Sequence, residues 1–246
     1  HIEYEDQSLA QIINACLEEL DVPVGNIHIT RGKYDLTEKI SITKRSVIIE
    51  GAFAGTHLVL ANGITGIEIL GTQEYGGGGH YHVAIRNLTL TSELPSRGAY
   101  GIYAKNFFGV TLENLNLFYM STAGVYIEDC AKTWLSNIYV DEATGDGFYF
   151  KGCRGVFGSR LFSDTNRTGF RLESSAAGNS NDKLTFYGCQ SVINSKKGYS
   201  IWNTNYATFV GCVAEGNGEE GFQIGDSRMI DLIGCIARTS GTRGIQ

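Results

Sequence analysis

The sequence predicts an all-β fold, a solenoid of parallel coils, and three observations predict it. A tetrad of Gly, apolar, variable, apolar recurs about every 23 residues, Gly is abundant while Pro is nearly absent, and apolar residues alternate with a period of two. The tetrad reads Gly101-Ile-Tyr-Ala, Gly124-Val-Tyr-Ile, Gly147-Phe-Tyr-Phe, Gly169-Phe-Arg-Leu, Gly198-Tyr-Ser-Ile, Gly221-Phe-Gln-Ile and Gly244-Ile-Gln, at spacings of 23, 23, 22, 29, 23 and 23 residues. A unit this short cannot enclose a core alone, so each coil must pair strand on strand with the next, about 4.8 Å away. Helical repeats fail on the period of two, and leucine-rich repeats fail for want of their Leu consensus.

Composition agrees with one large buried core: 246 residues, 42% of them hydrophobic. The 32 Gly against 2 Pro suit many tight turns. A net charge of −6 without a long basic run excludes nucleic acid as the partner, because phosphate binding needs concentrated Lys and Arg. No run of about 18 apolar residues is present, so no membrane span is expected. The six Cys fall in the repeat register rather than in a small disulfide framework, and read as buried thiols of a protein that folds in a reducing cytoplasm before release.

The elements follow in order. Leu9, Ile12, Ile13, Cys16, Leu17 and Leu20 make a helical stripe, and Ser8 with Gln11 makes a capping box. Residues 1–25 are therefore expected to form an N-terminal amphipathic capping helix over the core of one continuous domain, residues 26–246, whose C-terminal end is open. Strands begin at Ile27-His-Ile-Thr, Ile40-Ser-Ile-Thr, Ser46-Val-Ile-Ile, His57-Leu-Val-Leu and Thr65-Gly-Ile-Glu-Ile-Leu, and Gly71 to His82 reads as a projecting loop. Within each later coil, Val110-Thr-Leu-Glu-Asn-Leu-Asn-Leu117 is matched by Thr133-Trp-Leu-Ser-Asn-Ile-Tyr-Val140. The shared Asn predicts a strand, a sharp bend and a second strand, since Asn tolerates left-handed backbone angles. Asn87, Asn114 and Asn137 hold that place, then Gly188, Gly211 and Gly234, each followed by a thiol (Cys189, Cys212, Cys235) expected to stack in one interior column.

The order of helix, Gly25-Asn-Ile-His-Ile-Thr-Arg-Gly-Lys-Tyr34 and coils ending in Gly-Phe-x-Ile resembles the pectate-lyase superfamily of single-stranded right-handed parallel β-helices, and most of all bacteriophage tailspike and depolymerase domains. The resemblance implies a polysaccharide partner, a homotrimer, and a virion-surface or extracellular location. It equates the Asn column with the asparagine ladder of the second turn, and puts the substrate cleft where the third turn meets the first sheet. The paired-Asp and Gly-His-Gly motifs of polygalacturonases and the Tyr-Gly-x-Asp-Pro-His motif of alginate epimerases are absent.

Residues at one register stack in space, so candidate sites can be read as columns. Asp141 and Glu142 fall beside Asp164 of the next coil, close enough for the acid, base or nucleophile roles of glycoside hydrolysis. Tyr103, Tyr126 and Tyr149 face outward in a row with Arg171, and exposed rings in a row stack either on sugars or on one another. Two positions on, Lys105, Glu128, Lys151 and Glu173 alternate as a charge ladder, and Trp202 at the same register is a candidate substrate-binding residue. Arg167 and Arg171 are candidates to neutralise a uronate. The residues call for no cofactor; calcium bridging Asp141, Asp146 and Asp164 is the one candidate, and His80-Tyr-His82 lacks a third metal ligand. Asn166-Arg-Thr is a glycosylation sequon. These columns point to binding and cleavage of a cell-surface polysaccharide by a hydrolase or lyase; the alternative is a non-catalytic adhesin or structural fibre on the same fold.

Overall fold

A computed structural model describes residues 8–19, 24–43, 46–52, 55–71, 82–241 and 243–246. Leu20 of the predicted stripe and the loop at 72–81, with its His80, lie outside the described residues. The chain winds into a parallel β-solenoid. Among the described residues, the main path of a 14-stranded sheet runs from Val24–Ile29 through Ser46–Gly51, Val83–Ser92, Phe108–Phe118, Ala131–Asp141, Arg154–Asp164, Asn181–Tyr187 and Thr204–Val210 to Arg228–Ile233. A second sheet has eight, from Ile40–Thr43 to Phe222–Gly225, and contains the Gly tetrads. The strand-opening glycines lie level on successive coils because a side chain there has no room. A Cβ on Gly147 would fall on the Ser163 hydroxyl and lie 2.8 Å from the Gly169 carbonyl oxygen.

The long strands bend where expected. Asn87, Asn114, Asn137, Gly188, Gly211 and Gly234 have φ between 53° and 61°, and Arg160 takes the same place in its coil at 50°. The bend divides the 14-stranded sheet into a second and a third face; the eight-stranded sheet is the first. Asn114 donates through Nδ2 to Asn87 Oδ1 at 3.0 Å, and Asn137 to Asn114 Oδ1 at 2.8 Å. These amides are half-buried or exposed, however, and the interior ladder is elsewhere. At the third turn Asn166, Asn194 and Asn217 are buried, and their Oδ1 atoms accept the backbone N–H of Ala143 (2.7 Å), Asn166 (2.9 Å) and Asn194 (3.1 Å) from the coil before. Asn166, at 2% exposure, is therefore a structural amide and the sequon does not present its side chain.

Alternation carries one residue in two inward, and large apolar side chains meet their own kind across coils. Phe148, Phe170, Tyr199 and Phe222 form a nearly parallel stack with centroids 4.9, 4.7 and 4.4 Å apart. Cys189 and Cys212 are buried in one column, and Cys235 is half-buried in the last coil. Cys130 and Cys153 form a second column at the first turn, where burial pushes the Cys153 thiol up to about 12. No disulfide joins any of the six cysteines among the described residues.

The helix, Leu9–Glu19, buries Ala10, Ile13 and Leu17 against the first coil. Its capping box is formed: Ser8 N donates to Gln11 Oε1 at 2.9 Å and Gln11 N to Ser8 Oγ at 3.3 Å. Asn14 donates to the Lys39 carbonyl (3.0 Å) and accepts from Ser41 N (2.9 Å), so the open edge of Ile40–Thr43 is bonded by a side chain. Among the described residues no helix is long and apolar enough to cross a membrane.

Candidate functional site

Register and alternation together place each expected residue. In Ala131–Asp141 the residues after the bend alternate Ile138 and Val140 inward, Tyr139 and Asp141 outward, and Asp141 pairs in register with Asp164. The two carboxyls stand at the rim of the third face. Tyr139 donates its hydroxyl to Asp141 Oδ2 at 3.1 Å, while Asp141 Oδ1 is buried without a hydrogen-bond partner. Thr165 Oγ1 donates to Asp164 Oδ1 at 3.0 Å. Burial pushes the Asp141 pKa up and the charges of Asp164 and Glu142 push the same way, against the lowering by the Tyr139 hydrogen bond. Desolvation and a like charge both favour a protonated Asp141.

Beside the acids lies a groove of about 380 Å³ between the bend and the third face, walled by Asn114, Asn116, Asn137, Arg160 and Gln190 with Tyr139 and Phe162. The Tyr139 and Phe162 rings stack at 5.2 Å, and Phe118 packs on Tyr139 at 5.8 Å. Asn116, Arg160, Phe162 and Gln190 were not among the expected site residues. Asn116, Phe162 and Gln190 lie in register with Tyr139, two positions before the acidic column, and that offset was the signal available.

Glu142 occupies the next register, at φ 53°, level with Tyr119 and Thr165 rather than with the acid pair. Its side chain is exposed in a second cleft, about 340 Å³, that also includes Arg97, Thr144 and Arg167. Arg97 donates to the Glu142 carbonyl at 2.5 Å. Arg167 and Arg171 converge on the buried Asp146, at 3.1 and 3.3 Å. That neutralisation removes Asp146 as a calcium ligand, and among the described residues no group of three His, Cys, Asp or Glu can hold a metal ion. The proposed bridge from Asp141 and Asp164 through Asp146 does not fit. His82 Nε2 instead lies 2.9 Å from Thr111 Oγ1.

The tyrosines are on the first face, a turn away from the acids. Tyr103 stacks on Tyr126 at 5.1 Å and Tyr126 on Tyr149 at 4.5 Å; Tyr100 covers the far end of the stack at 5.4 Å and the Arg171 guanidinium lies 4.6 Å over Tyr149. The ring faces expected to receive sugars are thus occupied by one another, leaving edges. Glu128 accepts the hydroxyls of Tyr103 (3.0 Å) and Tyr126 (3.2 Å), and burial with the Glu128 charge pushes both phenols up, so they stay donors. Lys105 and Lys151 meet Glu128 at 3.4 and 4.0 Å, and Arg171 meets Glu173 at 2.7 Å, which is the charge ladder. Trp202, 37% exposed, donates to Gln223 Oε1 at 3.1 Å and lines a shallow recess with Lys151, Glu173 and Ser175.

No curated protein matches the chain in sequence. Solved structures match it in fold. ORF18 of Geobacillus virus E2 superposes with a TM-score of 0.62 at 15% identity over 91% of this chain, which spans about half (48%) of that protein. The AlgE6 A-module of Azotobacter vinelandii mannuronan C-5 epimerase gives 0.59 at 16%, covering 95% of this chain and 75% of that one. The periplasmic alginate epimerase AlgG gives 0.57 at 12%, covering 96% and 69%. The family model described as the right handed beta helix region matches residues 65–246, most of the chain, and the protein belongs to that family.

Proposed function

We propose that the protein binds a polysaccharide on its third face and cleaves it at the Asp141–Asp164 pair, as a retaining glycoside hydrolase. The observation that carries this reading is a carboxyl held toward its protonated form one coil from a second carboxyl. Adjacent parallel strands are about 4.8 Å apart, near the ~5–5.5 Å separation of a retaining pair. Asp141 gives its proton to the leaving glycosidic oxygen while the Asp164 carboxylate attacks the anomeric carbon. Asp141, now a base, then takes a proton from the water that releases the sugar from Asp164. Tyr139 orients Asp141, and Glu142, in the adjoining cleft, meets a sugar flanking the cleaved bond. Arg167 and Trp202 offer outlying contacts; Arg171 and the tyrosine edges hold the first face in shape. The alginate-acting proteins of like fold support a polysaccharide as the ligand class.

Reducing-end release from a panel of capsular polysaccharides tests the reading. Asp164→Asn and Asp141→Asn should abolish release while glycan binding persists, and Glu142→Gln should reduce it. Unsaturated uronates among the products would replace the hydrolase by a lyase, and release of nothing across the panel would leave the non-catalytic adhesin. The same reading includes a homotrimer at a virion surface or outside the cell. Light scattering of the full-length protein tests the trimer, and a monomer would overturn it.

A further inference from the structure

The groove beside the acids carries a second feature that cleavage does not require. Its only charged lining residue is Arg160, whose exposed side chain makes no ion pair or hydrogen bond among the described residues. The bend does not need that charge, since Asn occupies the same place in Asn87, Asn114 and Asn137. A left-handed backbone costs Arg about 1–2 kcal/mol more than it costs Gly, and less is lost with Asn. The remaining walls are the amides of Asn114, Asn116, Asn137 and Gln190, neutral groups that donate and accept, around the half-buried rings of Tyr139 and Phe162. In a protein of net charge −6, this is an uncompensated cation facing a half-polar, half-aromatic trough.

We propose that the groove is a subsite for an acidic sugar. A carboxylate or sulfate on the ring takes the Arg160 guanidinium in a two-pronged pair, the apolar face of the ring lies on Phe162 and Tyr139, and the amides take its hydroxyls. The inference rests on the polysaccharide reading and narrows it to an anionic glycan. Arg160 precedes Asp164 by four residues in one strand, about 13 Å at ~3.3 Å per residue. A glycan lying along the strand therefore reaches the anion site and the acid pair together.

Titration calorimetry of the Asp164→Asn protein with an oligogalacturonate hexamer, a heparin-derived hexamer and cellohexaose tests it, at low and high salt. At least one acidic probe should bind, more weakly in high salt, and cellohexaose should not. The carboxylated and sulfated probes separate the two sources of charge. Arg160→Asn, which extends the asparagine column and keeps the bend, should weaken acidic binding about tenfold or more, with Arg160→Lys partly restoring it. Equal binding of cellohexaose, unchanged affinity in Arg160→Asn, or no binding of either acidic probe would overturn the subsite. The cleavage reading fails separately: if no polysaccharide is cut by the unaltered protein yet Arg160→Asn loses the acidic probe, the subsite stands and Asp141 with Asp164 are not catalytic.

Discussion

Asp141 ties stability to chemistry at one side chain. Its folded-state pKa is raised, so the folded protein holds the proton more tightly than the unfolded chain does. Stability from this group is then greatest below the ordinary Asp value of about 3.9 and falls as pH climbs through the raised value, remaining reduced at neutral pH. Asp141→Asn should melt at a higher temperature than the unaltered protein at neutral pH, with the difference closing below about pH 4, even as it loses cleavage. A melting series against pH in which the variant is never the more stable would deny the buried-acid account. Gly147→Ala tests packing instead: a methyl in that space should destabilise by about 1–3 kcal/mol in denaturant unfolding. The pairing of Asp141 with Asp164 was legible because a 23-residue step from one acid reaches the other. The tyrosine column was equally legible as a column, but position along a strand does not say whether rings face solvent or each other; their spacing of one coil lets them stack, and they do. Arg160 was hidden because the bend was followed by residue type, Asn then Gly, and an Arg in the same register broke the pattern of letters without breaking the backbone.

Among elements, the third turn depends most on single side chains. Asn194 accepts the Asn166 amide and donates to Ser191 Oγ (2.9 Å) and Asn217 Oδ1 (3.0 Å), all in a buried setting. Asn194→Ala would leave a buried N–H without its acceptor, at a cost of about 1–3 kcal/mol; equilibrium unfolding should show it, and an equivalent loss is not expected from Asn137→Gly on the outside of the bend, where glycine keeps the left-handed backbone. This ladder was illegible for a physical reason. Asn166 and Asn194 are 28 residues apart because an extended first-turn loop at 174–180 intervenes, and Ala143 stands 23 residues before Asn166, so only Asn194 and Asn217 keep the common step and two residues do not mark a column. Strands, by contrast, were readable from alternation alone, and the capping helix from its stripe and Ser8–Gln11 pair. Thiol chemistry separates the cysteine columns by element: Cys130, Cys153, Cys189 and Cys212 should react slowly with a thiol reagent in the native protein and Cys235 faster. Rapid labelling of the buried four would contradict the interior columns.

At the scale of the molecule, each coil bonds to its two neighbours and to little else. Ala131 lies level with Phe108 on one side and Arg154 on the other. Joining Cys130 directly to Arg154 therefore removes one whole coil and leaves Arg154 where Ala131 stood, beside Phe108, with Phe170 brought against Val125 on the first face. The shortened chain should keep its circular dichroism and a cooperative melt while losing cleavage, because Tyr139 and Asp141 leave with the excised segment. A deletion of about half that length, which joins residues that are not level with one another, should not fold. Length in this architecture comes in quanta: lineages of such chains can lengthen or shorten by splicing in register, gaining or shedding a rung of binding surface at a stroke without redesigning the interior.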